Sequence, residues 1–184
     1  MRIDRQKVLG CAGFLCLTLG CHSPGPYGYA VDYAPLPEEA EAASAALDFD
    51  PVMAERDPKT WSARSVSVFG VVEERIELQN GKTQLTLDLR TLSKRNLCDE
   101  EGEQTCRVTV SAKSYGELSA TAKLSEADDS GRDSLKAGSL VRVVGRLVYS
   151  NQQKSAPPTL NASFYRHWPH REFVTTAARD YLMR

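Results

Sequence analysis

The chain has 184 residues and a formal net charge of −1, which is enough length for one domain of ordinary size. The charge is unevenly distributed. Residues 21–57 hold eight acidic residues and one basic residue, whereas residues 58–184 hold 19 basic and 15 acidic residues. The resulting charge of +4 on the second part is too small to indicate a polyanionic partner, because phosphate binding needs positive charge gathered on one face.

The amino terminus has the pattern of an export signal. A basic head, residues 1–7, precedes an uncharged apolar run of 13 residues, Val8–Gly20, which is too short to span a bilayer as a helix. The run ends in Leu17-Thr-Leu-Gly-Cys21, which resembles the lipobox of bacterial lipoproteins. The resemblance implies a signal peptide over residues 1–20 and a lipid on Cys21. Since no Asp follows Cys21, it also implies an outer-membrane address facing the periplasm.

Two alternatives remain open for this leader. Cys11 also ends a lipobox-like pattern, Val8-Leu-Gly-Cys11, although little apolar sequence precedes it. The other alternative is an ordinary cleaved signal peptide with Cys21 merely nearby.

Export also accounts for the cysteine pattern. Cys11 and Cys16 leave with the signal peptide and Cys21 carries the lipid, so Cys98 and Cys106 remain as a pair. In an oxidising compartment this pair predicts a disulfide that closes a hairpin loop. A zinc site is the alternative, but the sequence has no second pair of ligands at a zinc-finger spacing.

The composition of residues 21–60 predicts a flexible acidic tether. The segment is rich in Pro, Ala and Glu, and its stretch Pro37–Leu47 has almost no large apolar residue to bury. A short helix is predicted at Pro37–Leu47, with Pro in the first turn and acidic residues near the positive end of the helix dipole.

The residues from Ser65 to Leu78 predict a long strand, because apolar side chains recur there at every second position. Phe69 and Val71 make the second face of this strand partly apolar as well. Gly70 indicates a bulge or a bend where the strand turns from one sheet layer into another.

A succession of shorter strands follows. Asn80-Gly81 predicts a hairpin with a type I′ turn, which needs a positive φ at both centre positions. The next strands are predicted at 84–92, 106–113, 118–124, 139–149 and 160–168, with a second turn at 114–116 and a polar connector, with room for one helical turn, at 125–138. Residues 171–184 predict a terminal helix, with Thr175 or Thr176 as its cap.

Five main strands, the bent first strand and the segment Gly138–Leu147 together resemble the OB-fold family. In that family the pattern Gly-x-x-Val-x-Val-x-Gly opens the fourth strand, and here it is occupied by Gly138, Val141, Val143 and Gly145. The resemblance implies an all-β domain at residues 61–170. This domain would be a small five-stranded Greek-key barrel with an extra hairpin at 114–116 and the C-terminal helix.

Many members of the OB-fold family bind single-stranded nucleic acid through aromatic residues on the second and third strands. The outward positions predicted for those strands carry no aromatic residue: they are Gln84, Thr86, Asp88, Arg90, Arg107, Thr109, Ser111 and Lys113. Bases would have nothing to stack on, so nucleic acid is not the expected partner. The predicted ligand face is basic, with one aromatic residue in the following turn, and consists of Arg90, Arg107, Lys113 and Tyr115.

Aromatic and arginine residues cluster in the last fifth of the chain. They predict either a surface patch for a partner or a seam where the terminal helix covers the barrel, and the seam is favoured. The residues of the predicted partner patch are Arg146, Tyr149, Arg166 and Trp168.

The sequence offers little for metal binding or catalysis. His167 and His170 form a His-x-x-His pattern without a third ligand, and the acidic loop from Glu126 has Ala137 where a calcium loop needs glutamate. Nucleophile, phosphate-binding and dinucleotide motifs are missing. We therefore expect no metal, no cofactor and no enzymatic activity.

Together these patterns predict a lipid-anchored protein of the bacterial cell envelope. It would bind another envelope component, in the first place a protein, through its OB-like barrel. The alternative is an exported binder of single-stranded nucleic acid or oligosaccharide, and a hydrolase ranks third.

Overall fold

The computed structural model describes residues 31–100, 102–149 and 157–183. The strands are β1 (Leu47–Asp48), β2 (Ser65–Glu77), β3 (Thr83–Arg90), β4 (Leu97–Cys98), β5 (Cys106–Val110), β6 (Glu117–Ala122), β7 (Leu140–Val148), β8 (Thr159–Trp168) and β9 (Phe173–Thr175). The α-helices are α1 (Pro37–Ala43), α2 (Pro51–Arg56), α3 (Pro58–Ala63) and α4 (Glu126–Asp129), and 3-10 helices lie at Glu103–Thr105 and Thr176–Asp180. Within these ranges, no helix has the length and apolar character needed to cross a membrane.

Five strands close into a barrel in the order β2-β3-β6-β8-β7, because β7 pairs again with β2. β6 and β8 run parallel, and the other pairs in the ring are antiparallel. This order confirms the predicted small five-stranded Greek-key barrel of the OB type. β1 lies outside the ring and pairs in parallel with the start of β2.

β2 is the strand on which the barrel closes, since its first half pairs with β7 and its second half with β3. The irregularity in its pairing falls between Val72 and Glu74 and not at Gly70, where the sequence predicts a bend. Gly70 serves close packing instead, because a Cβ there would lie 2.9 Å from the Cβ of Leu87.

The predicted hairpin between β2 and β3 is confirmed, but its turn is of another type. Gly81 has a φ of 70°, whereas Arg171 is the one non-glycine residue with a positive φ in the described part of the chain. Asn80 therefore has a negative φ, and this excludes the type I′ turn.

Alternating side chains fill the barrel as the two-residue period predicts. Leu135, from the connector between β6 and β7, joins this core and is fully buried. The core residues contributed by the barrel strands are Val66, Val68, Val72, Leu85, Leu87, Leu89, Leu118, Ala120, Val141, Val143, Leu147 and Leu160.

A second apolar cluster covers the outer face of β2. Phe69 and Val71 pack there with Leu140 and Trp168, and with Val110 of β5. A small sheet in the order β4-β5-β9 supplies part of this cover. The apolar residues on both faces of β2 therefore belong to two separate cores.

The third barrel strand is β6, and the assignment of the segment 106–113 to that position is wrong. This segment forms β5, which pairs with β4 and β9 instead of with β3. Its alternation arises because Val110 is buried against the outer face of the barrel. The extra hairpin consists of β4 and β5, and the turn at 114–116 joins β5 to β6, which do not pair with each other.

Residues 31–60, for which the composition predicts a flexible tether, lie against the barrel. α1 forms at the predicted short helix, with Pro37 in its first turn. β1 pairs with β2, and the Phe49 ring packs edge-on against Trp61 at 5.9 Å between centroids. The rest of the predicted tether, the signal peptide and Cys21 lie outside the described residues.

The predicted terminal helix is present only as a short 3-10 helix, Thr176–Asp180, which follows β9. Thr175 makes no side-chain cap, and the Thr176 hydroxyl accepts a hydrogen bond from the Ala112 N–H at 2.9 Å. The predicted helix includes Phe173–Thr175, and these residues instead form β9, which pairs with β5. The single helical turn predicted in the connector forms as α4.

The predicted disulfide joins Cys98 of β4 to Cys106 of β5. We expect the Cys98→Ser/Cys106→Ser double variant to lose about 2–3 kcal/mol of unfolding free energy, because the bond restricts the unfolded chain. Urea unfolding measures this loss, and the wild-type protein under reducing conditions should show the same loss. Equal midpoints for the oxidised and the doubly substituted protein would contradict the prediction.

Candidate functional site

The candidate site is a cleft at a gap in strand pairing along one edge of β2. β7 occupies the opposite edge, so β1 and β3 lie end to end on this one. Ser67 pairs with Asp48 and Phe69 pairs with Arg90, which leaves Val68 between the two strand ends. The cleft that opens there has a volume of about 730 Å³, within the range of ligand pockets.

Two walls and a floor form the cleft. The first wall, Asp48–Val52, leads from β1 into α2. The second wall leads away from the end of β3 and consists of Leu89–Leu92, Lys94 and Tyr115. The floor comes from β2 and β7 and consists of Ser67, Val68, Phe69 and Arg142. Val52 and Tyr115 are 54% and 51% exposed, so apolar surface is open to a partner.

The first wall is fixed by a helix cap and a backbone contact. Asp50 Oδ1 accepts hydrogen bonds from the N–H groups of Val52 and Met53 at 2.9 and 3.0 Å, which caps α2. The Phe49 N–H donates to the carbonyl of Ser67 at 3.0 Å. This wall is therefore attached to the floor through the backbone.

Arg90 fixes the second wall. Its guanidinium donates to the carbonyl of Ser111 at 3.2 Å, to the carbonyl of Ala112 and to the carboxylate of Asp88. These bonds hold the loop after β5 against the end of β3. Lys94, by contrast, is an exposed cation on this wall.

Arg142, in the floor, belongs to a buried ion cluster around Glu39. The fully buried Glu39 accepts a hydrogen bond at 2.7 Å from Arg142, another at 2.7 Å from Arg166, and one from the Tyr33 hydroxyl. Burial raises the pKa of Glu39, but the hydrogen bonds from Arg142, Tyr33 and Arg166 outweigh it and hold this pKa below its ordinary value. Burial and the adjacent carboxylate raise the pKa of Tyr33 well above its ordinary value. We call these four residues the Glu39 cluster.

The two arginines of the Glu39 cluster also stack on aromatic rings. The Arg142 guanidinium carbon lies 5.0 Å from the centroid of Phe69, and that of Arg166 lies 4.5 Å from a ring centroid of Trp168. Phe69 lines the floor of the cleft. Docking of α1 through Glu39 therefore determines the shape of the floor.

The predicted ligand face does not form one surface. Arg90 and Tyr115 both line the cleft. Arg107 lies on β5, outside the barrel, and pairs with Asp99. Lys113 is exposed in the loop between β5 and β6. Arg107 and Lys113 do not line the cleft with Arg90 and Tyr115, because β5 is not a barrel strand.

The predicted partner patch is mostly covered. Trp168 is 6% exposed, and Arg166 belongs to the Glu39 cluster. The Tyr149 hydroxyl donates to the carbonyl of Ala54 in α2 at 3.2 Å, and Arg146 alone of the four is exposed. The seam exists, but the segment 31–60 covers it in place of the terminal helix.

A second polar cluster surrounds Asp128. Its carboxylate accepts hydrogen bonds from the hydroxyls of Ser125 and Tyr165, both at 2.7 Å, and lies 2.9 Å from Nδ1 of His167. Burial raises the pKa of Asp128, but the hydrogen bonds from Ser125, Tyr165 and His167 outweigh it and lower this pKa. Burial raises the pKa of Tyr165.

The two histidines of the His-x-x-His pattern have different surroundings, and so do the carboxylates of the acidic loop. His167 contacts Asp128, whereas His170 is exposed beside Gly138. Asp129 of the acidic loop pairs with Arg75. Among the described residues, no three His, Cys, Asp or Glu side chains are grouped so that they could hold a metal ion.

Sequence reasoning missed Glu39 and the first wall of the cleft. The available signal was the apolar second face of β2, at Phe69 and Val71, which needs a cover. Tyr33, an aromatic residue in the segment predicted to be a tether, was a candidate for that cover.

The fold and the cleft define a barrel of the OB type with the segment 31–60 docked on the barrel wall. No protein-family model matches the chain, and no curated protein matches it.

Proposed function

We propose that this protein is a non-catalytic binding module of the bacterial cell envelope, anchored by a lipid on Cys21, whose cleft binds a protein partner. The observation that carries the proposal is the open cleft of about 730 Å³ with the exposed side chains of Val52 and Tyr115. Exposed apolar side chains around a concave site are typical of interaction surfaces. The export signal and the lipobox-like pattern support the envelope address.

The charged side chains of the cleft support binding over catalysis. Asp50 caps α2, Arg90 fixes the second wall, and Arg142 holds Glu39. Asp48 and Lys94 lie on different walls, and neither activates a hydroxyl or thiol among the described lining residues. These groups fix the shape and charge of the cleft.

The outward surface of the barrel supports a protein partner over nucleic acid. β3 and β6 are the true second and third barrel strands, and their outward positions carry no aromatic residue: Gln84, Thr86, Asp88, Arg90, Glu117, Ser119 and Thr121. In the cleft itself, Asp48 and Asp50 would repel phosphate groups.

A nucleic-acid or oligosaccharide binder is the second candidate. The observation that favours it is a pocket of about 290 Å³ next to the cleft, lined by Lys94, Arg95 and Arg179 among others. Fluorescence anisotropy with labelled oligonucleotides at two salt concentrations tests this candidate. Micromolar binding that weakens steeply with salt would favour it over a protein partner.

Photo-crosslinking in the native cell tests the proposed function. We expect a benzoylphenylalanine introduced at Tyr115 to give a discrete adduct with one envelope protein, because this side chain lies in the second wall of the cleft. Tyr181, which is 88% exposed and does not line the cleft, is the control position. Equal adduct patterns from both positions, or none from Tyr115, would contradict the proposal.

Cell fractionation tests the anchor. We expect a Cys21→Ser variant to leave the membrane fraction, because it loses the acyl chains, each worth about 0.8 kcal/mol per buried methylene. Cys11→Ser should stay with the membranes. The opposite result would indicate that Cys11 carries the lipid. If both variants stayed with the membranes, the lipoprotein proposal would be contradicted.

A further inference from the structure

We infer that the cleft binds an extended peptide segment of the partner, in which apolar side chains lie between a basic residue and an acidic residue. The inference rests on the proposed function, because it names the chemistry of the partner at the same cleft. It follows from the charge of each wall and from the apolar surface between the walls.

The two walls present opposite charges. The first wall carries the exposed Asp48 and Asp50, and both hydrogen bonds of the Asp50 cap go to Oδ1. On the second wall, Arg90 is paired with Asp88, so Lys94 determines the charge offered to a ligand. A complementary ligand brings a cation to the first wall and an anion to the second.

The positive charge continues past Lys94. The adjoining pocket of about 290 Å³ shares Lys94 with the cleft and is also lined by Arg95 and Arg179. Oδ1 of Asp32 lies 3.9 Å from Nε of Arg95 and compensates part of this positive charge. The acidic end of the ligand therefore lies over the second wall.

Apolar surface separates the two charged walls. Val52 and Tyr115 expose about half of their surface on either side of Val68, whose own side chain is only 4% exposed. Removing such side chains from water favours binding of an apolar group between the charges.

A peptide matches this order of charges better than a nucleic acid or a lipid does. A nucleic acid carries one sign of charge along its whole length, and a lipid carries its charges at one end. A peptide carries both signs along one chain with apolar side chains between them. Extended peptides that bind in grooves place alternate side chains in pockets of the groove.

Peptide display on the full exported chain, purified in detergent, tests the inference. We expect the selected peptides to share an apolar centre with a basic and an acidic end. Three labelled peptides with that centre are then compared by anisotropy: one with mixed ends, one with two basic ends and one with two acidic ends. The wild-type protein should bind the mixed peptide at least tenfold more tightly than the other two.

The Lys94→Glu variant makes both walls acidic, so its preference should change to the peptide with two basic ends. The Lys123→Glu variant changes an exposed lysine that does not line the cleft and should keep the wild-type order. An unchanged order in Lys94→Glu, or a selection without this pattern, would overturn the inference. A specific Tyr115 adduct would in that case still support the proposed function, so the two fail separately.

Discussion

The Glu39→Gln variant is expected to lose about 3–5 kcal/mol of unfolding free energy, the cost of removing one partner from a buried ion pair. Arg142 and Arg166 are only 13% and 23% exposed, and Glu39 is the carboxylate that both of them contact. Glutamine keeps the size of the side chain but leaves two partly buried cations without their anion. Urea unfolding at neutral pH measures the loss.

Glu41→Gln is the matched control, because Glu41 lies exposed on the same helix. Its effect should stay within about 0.5 kcal/mol. A Glu39→Gln variant as stable as Glu41→Gln would show that the Glu39 cluster does not hold α1 to the barrel.

The same cluster gives the stability of the protein a defined pH dependence. The pKa of Glu39 is lowered on folding from its ordinary value of 4.5, so its contribution is present above about pH 4.5. The contribution is lost as the pH falls through the folded-state pKa. The difference between wild type and Glu39→Gln should therefore be largest near neutral pH and shrink below about pH 4.5. A difference that stays constant down to pH 3 would contradict this assignment.

The Gly145→Ala variant is expected to lose about 3 kcal/mol, at the upper end of overpacking effects. A Cβ at this position would lie 2.8 Å from the carbonyl carbon of Asn161 and 2.9 Å from the Cα of Ala162. Both atoms belong to the backbone of β8, where the pairing with β7 is irregular, so they cannot move aside as a side chain would. Thermal and urea unfolding measure the effect.

Arg146→Ala is the control for this strand, because Arg146 is the next residue and is exposed. It should change stability by no more than about 0.5 kcal/mol. If the two alanine variants were equally stable, β8 would have to adapt at Asn161, and the close approach of β7 and β8 would not be a constraint.

The barrel could be predicted from the sequence because its inner face obeys one rule, the alternation of apolar residues along each strand. The same rule failed at the third strand. The segments 106–113 and 118–124 alternate equally well, and alternation indicates a buried face without naming the core that buries it. Val110 is buried outside the barrel, whereas Leu118 is buried inside it.

The cleft could not be predicted because it depends on contacts between distant segments. Its first wall exists only because the segment 31–60 docks, and composition alone describes that segment as solvated. The docking depends on Glu39, whose partners Arg142 and Arg166 lie over 100 positions further along the chain. A glutamate that is buried and one that is exposed look the same in a sequence.

If the proposed anchor is present, the docked segment also limits how far the barrel can reach from a membrane. With an anchor at Cys21, ten residues precede Val31, the first described residue, and ten residues cover at most about 35 Å. A free chain up to residue 60 would have covered about 130 Å. An anchor at Cys21 would thus confine the barrel to a thin layer next to the bilayer, and it would exclude as a target any partner that never comes so close to the lipid surface.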